Sequence, residues 1–327
     1  CGTHTHEIFR LGIRKLLPEQ VELISGPGCP VCVTPVSFID EAIYLALERQ
    51  VTICTFGDLV RVPGTNMSLA GARERGAKIR IVYSPVDAKE YAKEHPKEQV
   101  TFLSVGFETT TPSACLSVKK AREEGLTNYS ILTANKTMPQ AYEALKGSAD
   151  IFLYPGHVNA ITGTKLCEEL AKEGVSGVVA GFTAKELLTA LAVALARFQE
   201  GRPFFVNCYP RVVTENGSPQ AQKLVEEMME PCDSEWRGLG VIKGSGMRLQ
   251  EEWSAFDARK KYKIPLIQGK ANPACRCGDV LQGKCKPSDC KVFGKVCTPQ
   301  HPIGACMVSG EGACSAYYMY GEAEKMK

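Results

Sequence analysis

The feature that most constrains this chain is a repeated grammar. A short apolar run is followed by a turn rich in Gly, Pro or Thr, and then by a helical period. Residues 51–56 run into Gly57-Asp58, and residues 78–83 into Ser84-Pro85. Residues 100–105 run into Gly106-Phe107-Glu108-Thr109-Thr110-Thr111-Pro112, and 130–134 into Asn135-Lys136-Thr137-Met138-Pro139. Residues 151–154 lead to Pro155-Gly156-His157, 175–180 to Gly181-Phe182-Thr183, and 202–209 read as a further strand. Strands that alternate with helices in this way form right-handed crossovers, which place the strands parallel in a sheet covered by helices. The expected fold class is therefore α/β. The thinnest break lies at 94–97, around His95-Pro96, and suggests two similar parallel-sheet domains, 1–95 and 96–235. The remainder, 236–327, reads as a small cysteine-rich C-terminal domain.

In parallel sheets the loops after the carboxyl ends of the strands form the binding crevice. Cys29, Asp58, Glu108, Asn135 and His157 all fall in such loops. Most also have an ordinary structural use: Asp58 as a helix cap, Glu108 at a helix start, His157 in a turn. The stretch Gly26-Pro27-Gly28-Cys29-Pro30-Val31-Cys32 is more specific. It follows residues 21–24, which read as a short buried strand, and its glycines and proline force a sharp turn. A Cys-x-x-Cys pair can close a strained disulfide, hold one metal ion, or share a lowered pKa. The opening Cys1-Gly2-Thr3-His4-Thr5-His6 precedes an amphipathic helix expected to reach about residue 17, with Thr3 or Thr5 as cap. Cys1 would then face the positive end of that helix, which favours a thiolate, with His4 and His6 close by.

Cysteine usage carries the next step. Fifteen cysteines in 327 residues, an odd number in a long α/β chain, do not fit a secreted disulfide scaffold. They fit a reducing, cytoplasmic setting in which thiols bind metal or cycle their redox state. Cys54, Cys115, Cys167, Cys208 and Cys232 stand singly in apolar or helical surroundings and read as small core residues. Seven others lie between Cys275 and Cys314, in a tail laced with Gly and Pro and poor in large apolar residues. Such a segment needs an inorganic group to hold its shape. Four thiolates suit zinc or an iron–sulfur cluster. The wide spacing of Cys275, Cys290, Cys297 and Cys314 favours the cluster over zinc, which prefers two tight pairs, with seven candidates for four places. The formal charge is +3 with no Lys/Arg block, which argues against nucleic acid, and the longest apolar stretch, 187–196, is too short to span a bilayer. No phosphate-binding loop or dinucleotide fingerprint is present, so any step that consumes energy belongs to a partner.

Several of these motifs together resemble the HypD family of NiFe-hydrogenase maturation proteins. They are Cys1-Gly2-Thr3-His4, Gly26 through Cys32, Gly106 through Pro112, Pro155-Gly156-His157-Val158, Phe293-Gly294-Lys295-Val296-Cys297-Thr298-Pro299 and Met307-Val308-Ser309-Gly310-Glu311-Gly312. The resemblance spans essentially the whole chain. It implies two α/β domains of similar fold and a C-terminal domain binding a 4Fe-4S cluster. It also implies a scaffold role in building the Fe(CN)2CO group of the hydrogenase active site. In that picture a small HypC-type chaperone binds the protein, the pair holds the iron, and HypE, loaded by HypF, delivers cyanide on the way to the hydrogenase large subunit. The resemblance further implies Cys1 as a ligand of the iron cargo and Cys29/Cys32 as a redox-active dithiol. Cys275, Cys290, Cys297 and Cys314 become the cluster ligands, and His4, Asp58, Glu108, His157 and Glu311 become members of the site. The competing readings are an iron–sulfur-dependent thiol–disulfide oxidoreductase and a zinc-stabilised α/β protein with no redox role.

Overall fold

A computed structural model of the chain describes residues 1–321. Strands β1 (Thr52–Thr55), β2 (Ile79–Ile81), β3 (Val100–Gly106) and β4 (Tyr129–Asn135) form one sheet in the order β2-β1-β3-β4, every pair parallel. All seven residues of β3 are buried, as expected of a central parallel strand covered on both faces. A second parallel sheet runs β5 (Phe152–Pro155), β6 (Gly177–Ala180), β7 (Phe205–Asn207). The crossover helices start where local chemistry dictates. Ser84 and Asp87 form a reciprocal capping box before Pro85–Glu94, and Thr183 and Glu186 another before Ala184–Phe198. The fold is thus α/β with parallel sheets and a cysteine-rich C-terminal region, as the alternation implied.

Three local expectations are revised. The division between the sheets lies between Asn135 and Phe152, because strands on both sides of His95-Pro96 share one sheet. The break there is a tethered turn: the Asn128 side-chain amide sits 2.8 Å, 3.1 Å and 2.9 Å from the carbonyls of Ala92, His95 and Glu98. Residues 21–24 form no strand and lie as a half-exposed irregular segment. The opening helix spans Gly2–Arg10 and stops short of residue 17, because Gly12, at φ 65°, turns the chain into the short 3-10 segment Ile13–Leu16.

Sequence reading also missed a hairpin, β8 (Met229–Trp236) with β9 (Gly240–Leu249), antiparallel and bulged near Cys232. Gly238 and Gly240, both at positive φ, make its turn possible. That turn presses on the tail: a Cβ at Gly278 would lie 2.8 Å from the Cα of Gly238. The tail region expected at 236–327 therefore shares the hairpin with the preceding segment; its last six residues, 322–327, lie outside the described residues. The core that matters here gathers Phe107, Met138, Tyr154 and Trp236 around Cys29, Cys32, Cys277, Cys297, Cys306 and Cys314. It sits where the loops following β3, β4 and β5 meet the tail. Among the described residues no helix is long and apolar enough to cross a membrane.

Candidate functional site: a junction of thiols

Cys1 itself caps the opening helix, in place of Thr3 or Thr5: its Sγ accepts the backbone N–H of His4 at 3.4 Å. The Cys-x-x-Cys loop lies directly against it. A Cβ on Gly28 would come within 2.8 Å of the Cys1 carbonyl carbon and of the Gly2 nitrogen, so only glycine admits this approach. Cys29 caps the short helix Pro30–Val33, its Sγ accepting the Cys32 N–H at 3.3 Å. Pro30 at the first helical position is pre-set for that turn. Cys29 and Cys32 are 2% and 0% exposed, so the turn delivers the pair into the core. Burial, followed by the neighbouring Cys29, pushes the Cys32 thiol well above its ordinary pKa.

The family-like residues around Cys1 fall into place unequally. Glu311 accepts a 2.6 Å hydrogen bond from Thr3, and a Cβ on Gly2 would meet the Glu311 backbone and the Cys29 side chain. His4 is buried and donates from Nε2 to the Gly181 carbonyl at 3.0 Å, leaving Nδ1 buried without a partner. Phe182 stands between two imidazoles, 4.7 Å from His4 and 5.0 Å from His157 between ring centroids. Desolvation keeps both histidines neutral, His157 down to about 4. His6 reaches the Gly310 carbonyl at 3.0 Å. These contacts tie the Cys1 segment to β6's loop on one side and to the Glu311 loop on the other.

Glu108 lies on the far side of the junction. Its Oε1 accepts the Met138 N–H at 2.8 Å, Oε2 is buried without a partner, and burial raises the carboxyl pKa to about 7. Asn135 is buried between Ser104 and Thr111, holding the carboxyl ends of β3 and β4 together. Asp58 occupies the first turn of the segment Gly57–Arg61 and makes no hydrogen bond or ion pair with another described residue. The structure does not join it to the thiols.

The tail brings its own sulfurs to the same place. Cys306 is buried in the same core as Cys32, Cys277 and Cys314, and the Cys32 Sγ lies 4.0 Å from the carbonyl of the adjacent Ala305, so this segment joins the early pair to the tail. The Cys275 and Cys277 sulfurs are 3.1 Å apart, and the Cys297 Sγ accepts the Ile303 N–H at 3.3 Å. Gly304 leaves room for this pair, since a Cβ there would lie 2.5 Å from the Cys277 Sγ and closer still to that of Cys275. Of the four expected cluster ligands, Cys275, Cys297 and Cys314 border the sulfur-rich core. Cys290 lies at its margin, its Sγ 3.8 Å from the Ala274 carbonyl beside Cys275. Cys277 and Cys306, which spacing alone did not single out, are at the centre. Among the described residues no three His, Cys, Asp or Glu side chains are drawn together tightly enough to hold a metal ion as they stand. Arg237 is the other unforeseen member: 9% exposed and bonded to the Thr34 carbonyl at 2.7 Å, with Cys277, Cys275, Cys306 and Cys32 as its charge neighbours.

Comparison with known proteins bears on the whole of this arrangement. The family model HypD, described as "Hydrogenase formation hypA family", matches residues 1–321. The chain is 42% identical to hydrogenase maturation factor HypD of Cupriavidus necator, over 98% of this chain and 88% of that protein. It is 44% identical to the factor of that name from Rhizobium leguminosarum bv. viciae, over 98% and 87%. The corresponding factor of Escherichia coli K12 is 42% identical, over 99% and 88%. With its motifs meeting at one junction and similarity running end to end, this chain belongs to the HypD family of hydrogenase maturation factors.

Proposed function

We propose that the protein is the scaffold on which, together with a small HypC-type chaperone, iron is held while its cyanide and carbonyl ligands are attached, with cyanide arriving from a HypE-type donor. Iron with its cyanide and carbonyl ligands is cargo here, and Cys1 is the residue that faces it. Cyanide and carbonyl favour electron-rich Fe(II), which calls for a soft thiolate ligand and a supply of electrons. The observation that carries this reading is the single buried core that gathers Cys29 and Cys32 with Cys306, Cys277 and Cys314. His4 and His157, kept neutral by burial, add no positive charge beside Cys1, and Phe182 packs against both imidazoles.

The donor chemistry of the tail suits a 4Fe-4S cluster: four thiols from one segment, three of them bordering an apolar, sulfur-rich core and the fourth, Cys290, at its margin by the Ala274 carbonyl. Cys275, Cys290, Cys297 and Cys314 would hold it, and when bound it would supply single electrons. Cys277 and Cys306, free of ligand duty, then stand between that set and the Cys29/Cys32 pair. Each disulfide reduced takes up two electrons and two protons and leaves two thiols.

A stand-alone thiol–disulfide oxidoreductase is the weaker reading. Attack on a diffusible disulfide needs an accessible, low-pKa thiol, whereas Cys29 and Cys32 are buried and the Cys32 pKa is raised. Infrared spectroscopy on the anaerobic complex with the small chaperone tests the proposal. Bands from iron-bound cyanide and carbonyl are expected in the wild-type complex and lost in Cys1→Ala. Rapid turnover of small disulfides by the isolated chain, with no such bands in the complex, would favour the oxidoreductase.

A further inference from the structure

A cleft of about 690 Å³ opens between the loop 61–68, the segment 270–273 and the turn 300–303. Its charged lining is of one sign: Arg61, Arg237 and Lys270, with His301 beside them and no Asp or Glu. None of the three cations pairs with a carboxylate of the described chain. Arg61 donates to the Pro299 carbonyl at 2.8 Å, and Arg237 to the carbonyls of Thr34 and Pro63. Asp40, outside the lining, accepts hydrogen bonds from the Thr65 N–H and hydroxyl, at 2.8 Å and 2.6 Å. Arg237, nine-tenths buried at this wall, has the thiols of Cys277, Cys275, Cys306 and Cys32 as its charge neighbours, which leaves Arg61 and Lys270 as the cleft's cations open to an anionic partner.

The cleft also adjoins the thiols. Ile303 lines it and donates its N–H to the Cys297 Sγ, and Asn272 lines it and accepts the Cys275 N–H at 3.0 Å. Residues 270–301 hold six Lys/Arg against two Asp, in a chain whose totals are 39 and 36, so this segment accounts for the whole positive balance. Two of the six, Arg276 and Lys286, are paired with Asp279 and Glu22, and Lys284 lines a separate cleft with Glu22 and Asp289. Arg61, Lys270 and His301 are exposed on the rim. An exposed rim of cations with no carboxylate in the lining suits an acidic macromolecule that arrives by electrostatic steering and leaves quickly.

We propose that this face docks an acidic, one-electron carrier protein of the ferredoxin type, which supplies the electrons that reduce the thiol series; the inference rests on the redox reading above. Two carriers are each oxidised by one electron, one S–S bond breaks, two protons come from solvent, and two thiols result.

The probe is an acidic 2Fe–2S ferredoxin, pre-reduced and freed of reductant, mixed with the oxidised, anaerobically purified protein. Its reoxidation is followed spectrally and new thiols are counted by alkylation. The rate is expected to fall steeply with added salt. Lys270→Glu, whose only bond in the structure is through its backbone N–H, should slow the reaction at least tenfold at low salt. Dithiothreitol, which is uncharged, should generate the same thiols equally fast in both proteins. Binding of redox-inert, gallium-substituted ferredoxin reads docking alone, and Lys270→Glu should weaken it at least tenfold. Unchanged ferredoxin binding in Lys270→Glu, or binding insensitive to salt, overturns the proposal. So does tight binding of inorganic phosphate without any ferredoxin binding, which would make the cleft a small-anion site. If dithiothreitol yields no new thiols, the redox reading fails instead, while the gallium-protein binding still decides docking.

Discussion

Gly28→Ala is the sharpest perturbation of the site, because the same motif supplies its control. An alanine Cβ at residue 28 would lie 2.8 Å from the Cys1 carbonyl carbon and the Gly2 nitrogen, and nearer still to the Cys1 Cα. Ordinary contacts begin at 3.4 Å, so the Cys1 backbone or the Cys-x-x-Cys loop must retreat by about 1 Å. Overpacking of this kind costs about 1–3 kcal/mol, well below the usual stability of about 5–15 kcal/mol. The protein should fold. A 1 Å displacement at reacting groups, however, can lower a rate by about 10²-fold. At Gly26 an alanine Cβ meets nothing within 4 Å. The assay is infrared intensity of iron-bound cyanide and carbonyl in complexes purified at equal yield, with the visible absorption expected of the proposed tail cluster as an internal standard. Gly28→Ala should lose the cyanide and carbonyl bands and keep the visible absorption, while Gly26→Ala keeps both. Equal loading in the two variants would refute the close approach of Cys1 to this loop as the basis of cargo binding.

Cys297→Ala should abolish the visible absorption and expose the tail to protease after about residue 270, and retained absorption would mean that the ligand set is wrongly chosen. Gly304→Ala, by forcing apart the Cys275 and Cys277 sulfurs, should weaken the same absorption without touching Cys1. Glu108 gives a pH signature. Its folded pKa, about 7, lies above the ordinary 4.5, so its contribution to stability is complete below about pH 4.5 and is lost as pH rises through 7. The shift corresponds to about 3 kcal/mol at most, because the side chain is partly exposed. Glu108→Gln keeps an acceptor for the Met138 N–H and should flatten the fall in urea midpoint between pH 5 and 8.5, whereas an unchanged fall would assign it to other groups.

The alternation of β-branched runs with Gly- and Pro-rich turns is a local signal, and it placed β1 to β7 and most of their helices within a few residues. What it could not carry was membership. Whether β3 joins β1 depends on pairing across the His95-Pro96 turn, and Asn128, which ties that turn down, carries no mark in the sequence. The β8–β9 hairpin was hidden because its solvent-facing residues dilute the apolar pattern; its turn glycines, Gly238 and Gly240, were the available clue. Cys1, Cys29 and Cys32 were visible as motif residues, but their contact with one another depends on Gly28 packing on Cys1. Cys277 and Cys306 were harder, since only tertiary packing carries Cys306 from an apolar stretch to Cys32. Arg237 gave no signal at all, because its meaning comes from four thiols distant in sequence.

The account turns on sulfur continuity between the tail and the early pair. Its most direct test is differential alkylation of anaerobic, oxidised protein as electrons are supplied to the tail, in the wild type and in Cys306→Ser. The account predicts that Cys29 and Cys32 become labelled promptly in the wild type and lag far behind in Cys306→Ser, although the tail absorption bleaches equally in both. Labelling of Cys29 and Cys32 at the same rate in the two proteins would contradict it.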